Sequence, residues 1–244
     1  MIPIRDSIPC NTTPVVTWGI MAICIAVFLL MIIMPDHMVQ RFLYLYGMVP
    51  IRYANPRWAY DFGLPPDHYL SFLTSLFLHG GWMHLLVNML FLWIFADNIE
   101  DLMGHQRFLA FYLLCGLLAT WTQWYFSQNL VVPVVGASGA IAGVLGAYFF
   151  RFPQAKVVML VPILFFPLFF EIPAIAFLGF WVIMQLQEVF DAAMFGAASG
   201  SAWWAHLGGF AIGALLHRFF IPAAATTQLT ASTAEQPPSA EDDD

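Results

Sequence analysis

No aspartate, glutamate, lysine or arginine stands between Arg107 and Arg151, and shorter charge-free runs recur elsewhere in the chain. Soluble elements alternate buried and wetted positions, so uncharged runs of this length belong in lipid. The composition agrees. Hydrophobic residues make up 61% and charged residues only 9%, against about 25% charged in an ordinary soluble domain. The expectation is an all-α, multi-pass membrane protein.

The charges that do occur exclude several classes of function. Glu235, Glu241, Asp242, Asp243 and Asp244 crowd the last ten residues, and the other acids nearly balance the eight lysines and arginines. No basic patch remains to meet nucleic acid. Cys10, Cys24 and Cys115 have neither metal spacing nor a disulfide framework, and no H-E-x-x-H or paired intramembrane acids occur. Neither a metal nor a cofactor is expected.

A helix needs about 20 apolar residues to cross a bilayer. That length places spans at about 15–34, 84–100, 107–128, 138–151, 172–188 and 202–220. Residues 1–14 read as a short cytoplasmic N-terminus ahead of an uncleaved first span. A long Pro-, Tyr- and Trp-rich loop fills 35–83, and 221–244 reads as a disordered acidic tail. The short run 157–170, broken by Pro162 and Pro167, reads as an interfacial or re-entrant segment. Six crossings put both termini on one side. Arg5, Arg107, Arg151, Lys156 and Arg218 are then cytoplasmic, while Arg41, Arg52 and Arg57 share the long outer loop. The short leader suggests a bacterial cytoplasmic membrane.

Polar groups inside apolar runs are costly unless paired or functional. Four matter here: His84 and Asn88 at the start of the second span, Ser138 at the start of the fourth, and His206 near the start of the sixth. In a six-span chain these helices all descend from the outer face, so the four groups share a depth. Gly139 and Gly143 form a small-xxx-small pair on the fourth span, with Gly136 just ahead of Ser138. Gly209 and Gly213 form another pair on the face that carries His206. Such pairs let helix backbones approach closely in lipid. Meeting faces would bring the Ser138 hydroxyl within reach of the His206 imidazole, as a serine nucleophile requires. His84 and Asn88 project from one face of their helix and can act as donors to an oxyanion, beside the backbone N–H of Ser138.

The motifs G-A-S-G at 136–139, H-x-x-x-N at 84–88, A-H-x-x-G at 205–209 and E-x-x-x-G at 100–104 resemble those of the rhomboid family of intramembrane serine proteases. The resemblance covers about residues 15–220, in the family's order, and implies a six-transmembrane-helix bundle. It implies Ser138 as nucleophile, His206 as general base, and His84 with Asn88 as oxyanion support. It also implies cleavage of transmembrane substrates near the outer membrane face, with membrane proteins and the lipid bilayer as partners.

Two departures from the family pattern stand out. Many members carry Trp-Arg in the first loop where this chain has Leu70–Ser71, so its loop must be anchored differently. Many also place an aromatic four residues after the serine, where this chain has Ala142. What orients His206 stays open, with Trp203, Trp204 and Tyr148 as candidates. His79 reads as part of the turn into the second span, and Gln123 and Gln185 as residues that hold water or bond between helices. The alternative functional class is a non-catalytic relative that binds transmembrane helices on the same scaffold.

Overall fold

The computed structural model describes residues 2–163, 166–195 and 202–222. In chain order the elements are β1 (Ile2–Asp6), α1 (Val15–Ile32), α2 (Asp36–Tyr46), α3 (Pro50–Ala54), α4 (Pro56–Asp61) and α5 (Ser71–Thr74). After a 3₁₀ turn at Ser75–Phe77 come α6 (Trp82–Met103), α7 (His105–Phe126), α8 (Ser138–Arg151), β2 (Lys156–Ile163), β3 (Phe166–Pro173), α9 (Ala174–Phe195) and α10 (Trp203–Phe220). The long helices coincide with the six apolar runs of the sequence. Among the described residues, Val15–Ile32, Trp82–Met103 and Ala174–Ala192 are long and apolar enough to cross a membrane by themselves. The other three long helices are shorter or carry more polar and small residues.

α8 is the hub. Every residue from Gly139 to Tyr148 is buried, which a helix tolerates only when its small side chains let neighbours close in on all sides. Its glycines do this. A Cβ on Gly213 of α10 would land on the Gly143 carbonyl, and one on Gly209 would land on the Gly139 carbonyl. Gly146, a third close-approach glycine on α8, lies against the backbone of Phe210 and Ala214. On the opposite side, a Cβ at Gly143 would come within 2.5 Å of the Cys115 Cβ on α7. α8 is thus clamped between α7 and α10 at backbone distance, as small-residue packing in lipid allows.

The expectation of an all-helical chain needs one correction. Residues 2–6, 156–163 and 166–173 form a three-stranded antiparallel sheet in the order β1–β2–β3. The interfacial segment expected at 157–170 is the β2–β3 hairpin. Its prolines misled the reading because Pro162 and Pro167 face each other across the ladder, next to the hairpin's end. Pro162 lies beyond the last β1 pairing at Leu160, so its missing N–H breaks no bond to β1. The acidic tail expected at 221–244 lies, from residue 223 on, outside the described residues.

α1 begins after Pro14, which offers no capping side chain. Its free N–H groups are met from another helix. Glu100 of α6, fully buried, accepts from Val16 N at 2.9 Å, Thr17 N at 2.8 Å and Thr17 Oγ1 at 2.7 Å. The same carboxylate meets His105 Nδ1 at 2.6 Å, across the break that Gly104 makes at φ +77°. The E-x-x-x-G motif is therefore a junction of α1, α6 and α7.

Replacement of Gly213 by alanine should force α10 off α8 and destabilise the fold by about 1–3 kcal/mol, read as a lowered unfolding temperature in detergent. Gly19→Ala on α1, where nothing lies within 4 Å of a new Cβ, should be neutral or stabilising by up to about 1 kcal/mol. Equal effects at both sites would contradict the close-packed α8–α10 contact.

Candidate active site

Ser138 is the first residue of α8 and His206 lies in the first turn of α10. Because the two helices touch through glycine, their side chains meet near those helix starts. Ser138 Oγ lies 2.8 Å from His206 Nε2. The other ring nitrogen, Nδ1, lies 2.7 Å from Gln185 Oε1 of α9. Both residues line a cleft of about 400 Å³ with Gly80, His84, Pro133, Val134, Val135, Ala202 and Trp203. The first N–H groups of a helix have no intrahelical partner, and its N-terminus favours negative charge. Ser138 therefore sits where an anion would be stabilised.

His84 reaches the cleft from α6. A Cβ on Gly136 would come within 2.6 Å of His84 Nε2, and Gly136 holds a φ of +129° that side chains rarely adopt. This glycine is required twice over, by backbone conformation and by the close approach of the imidazole. Asn88, one turn further along α6, is 4% exposed and its Nδ2 has no hydrogen-bond partner among the described residues. It does not line the cleft itself. His79 is fully buried, its ring edge-on to His84 at 5.2 Å.

Aromatic rings flank His206 from α9 and α10. Trp181 stands 5.9 Å from its ring centre and Trp203 6.2 Å. Of the three candidates for orienting His206, only Trp203 is at the site. Tyr148 hydrogen-bonds Asp6 at the far end of α8, and Trp204 stacks on Phe126 at 4.2 Å. Trp181 and Gln185 were missed as site residues, since a sequence does not show which side of α9 turns inward.

The long loop before α6 is anchored without a Trp-Arg pair. Arg52, fully buried, donates to the carbonyls of Tyr44 and Leu45, and Thr74 Oγ1 donates to the Tyr46 carbonyl at 2.6 Å. Tyr53 hydroxyl meets Ser71 and donates to the His68 carbonyl. The loop then grips the segment ahead of Ser138: Met48 and Val134 exchange two backbone bonds, and Gly136 N donates to the Ser75 carbonyl at 2.9 Å.

Residues 66–223 match the family model described as the rhomboid domain, a span that contains all four motifs. The chain belongs to the rhomboid family. This bears out the resemblance read from the motifs and makes the chain a helical membrane protein. It is 33% identical over 139 residues to presenilin-associated rhomboid-like protein A, mitochondrial, of Danio rerio, covering 55% of this chain and 36% of that protein. It is 32% identical over 151 residues to rhomboid protein 1, mitochondrial, of Saccharomyces cerevisiae, covering 60% and 40%. The putative rhomboid protease YdcA of Bacillus subtilis is 35% identical over 92 residues, covering 38% and 46%. The chain thus spans less than half the length of these curated relatives.

Gly136→Ala should displace His84 and strain the turn into α8. In this rhomboid we expect the protein to fold while any reactivity at Ser138 falls by tenfold or more, roughly the scale of a lost oxyanion donor. Labelling of folded protein by a fluorophosphonate probe measures it, and unchanged labelling would show that the glycine serves only the turn.

Proposed function

We propose that this rhomboid is an intramembrane serine endopeptidase that cleaves transmembrane segments of membrane proteins with a Ser138–His206 dyad. The observation that carries the reading is the 2.8 Å approach of Ser138 Oγ to His206 Nε2 at the wall of a cleft. His206 takes the hydroxyl proton as Ser138 Oγ attacks the scissile carbonyl carbon. The resulting oxyanion is met by the backbone N–H of Ser138 and by His84, with Asn88 Nδ2, which has no hydrogen-bond partner among the described residues, one turn behind as a supporting donor. His206 then gives its proton to the departing amine, and water releases the acyl group by the same route in reverse.

In this proposal α1 and α6 to α10 make six crossings with both termini on the cytoplasmic side of a cytoplasmic membrane. The sheet supports the parity. β1 and β2 pair directly, so they share a side, and four long helices lie between them. α8 supports the depth. Its 14 residues span about 21 Å at ~1.5 Å each, well short of a hydrocarbon core of about 30 Å. With Arg151 at the inner interface, Ser138 lies below the outer face. Water reaches the dyad through the cleft, and a substrate helix must unwind to expose a peptide bond there. Preferred substrates therefore carry Gly, Pro or polar residues near the outer end of a span.

Ser138→Ala and His206→Ala should abolish cleavage of a transmembrane substrate in proteoliposomes. His84→Ala and Asn88→Ala should each retain measurable activity, with losses of at most about 10²–10³. A folded Ser138→Ala protein that still cuts would overturn the assignment and favour a helix-binding relative with a contaminating protease. Since the base must be neutral, kcat/KM should fall on the acid side of the profile, and a chelator should leave activity unchanged. Chelator inhibition reversed by zinc would point to a metal mechanism instead.

A further inference from the structure

α9 turns most of its surface outward: Phe180, Ile183, Met184, Leu186 and Phe190 are all exposed. Gln185 is the exception in this half of the helix, 8% exposed and directed at the bundle. An amide at such a position costs more than a leucine would unless its polar atoms are satisfied. Its oxygen is satisfied by His206 Nδ1 at 2.7 Å. A carbonyl oxygen can only accept, so Nδ1 carries the proton. In the neutral imidazole this leaves the Nε2 lone pair free, facing the Ser138 hydroxyl. The opposite tautomer would aim an N–H at Ser138 and could take no proton from it.

We infer that Gln185 is the positioning residue of the dyad, holding His206 in the proton-accepting tautomer through an uncharged hydrogen bond from α9. The inference rests on the reading of Ser138 and His206 as nucleophile and base. Gln185 occupies the place that an acid fills in a three-residue arrangement, and it does so without burying an anion. Around the ring, α6 supplies His84 as the titratable neighbour, α8 supplies Ser138, α9 supplies Trp181 and α10 supplies Trp203. No carboxylate on these elements takes the role.

The test compares two variants of the full chain in proteoliposomes, with kcat and KM for a transmembrane substrate measured across pH. Gln185→Met keeps the volume and removes the acceptor; kcat per folded molecule should fall by roughly tenfold or more while KM stays put. Gln185→Glu keeps the acceptor and adds charge beside the imidazole, which favours its protonated form. It should restore activity at alkaline pH and shift the acid limb of the profile upward by roughly one unit. Wild-type kcat in Gln185→Met, or an unmoved acid limb in Gln185→Glu, overturns the inference. Should Gln185→Met fail to fold, the acid limb of Gln185→Glu decides alone. If His206→Ala remains active, the dyad reading itself has failed. A dead His206→Ala beside an unaffected Gln185→Met rejects only the role of Gln185.

Discussion

The backbone of α10 lies directly on the backbone of α8 through Gly139, Gly143, Gly209 and Gly213, and the rest of the molecule is arranged around that contact. Lipid gives two helices no hydrophobic reason to associate, so they must gain from close van der Waals contact and from polar bonds. Glycine supplies the first. The distance it sets leaves room for one short hydroxyl and one imidazole at the helix ends, and the 2.8 Å hydrogen bond follows. A methyl group on Gly209 or Gly213 would land on the α8 backbone and widen the gap for every residue beyond it.

Around this seam, two buried charged side chains, Glu100 and Arg52, serve as joints. Glu100 ties the start of α1 to α6 and α7, and Arg52 ties the long loop to itself. Each satisfies several backbone groups at once, which is how a charge is tolerated away from water. Through the Met48–Val134 and Ser75–Gly136 bonds, the loop then fixes the turn from which Ser138 emerges. The site is therefore held by a rigid glycine contact on one side and a hydrogen-bonded loop on the other.

The six apolar runs were legible because length and lack of charge are one-dimensional properties. The start of α8 at Ser138 and the pairing of glycine faces were legible too, since helical spacing is a property of one segment. What escaped depends on which segments meet. Pro162 and Pro167 read as breakers until their mutual pairing across a hairpin is seen. Arg52 reads only as one of three arginines in the long loop, and its burial against the Tyr44 and Leu45 carbonyls is a matter of tertiary contact. Gln185 reads as a residue that holds water or bonds between helices, but its partner, His206, sits 21 positions away and is not named by the sequence. Tyr148 seemed close to the serine along the helix, yet ten residues put it at the opposite end, against Asp6.

The pairing of β1 with β2 also orders events in time. Ile2 faces Leu160 and Asp6 faces Val157, so β1 waits for a partner made some 150 residues later. At about 5–20 residues per second that wait is on the order of ten seconds. Throughout it the apolar hairpin surface and the Asp6 end of α8 do not yet exist for β1 to dock on. In the proposed six-crossing topology, the sheet closes only after four long helices have been threaded and returned to the starting side. Its closure thus acts as a late latch on the fold, and a chain inserted with the wrong number of crossings would leave β1 and β2 on opposite faces of the membrane, with no route to pair.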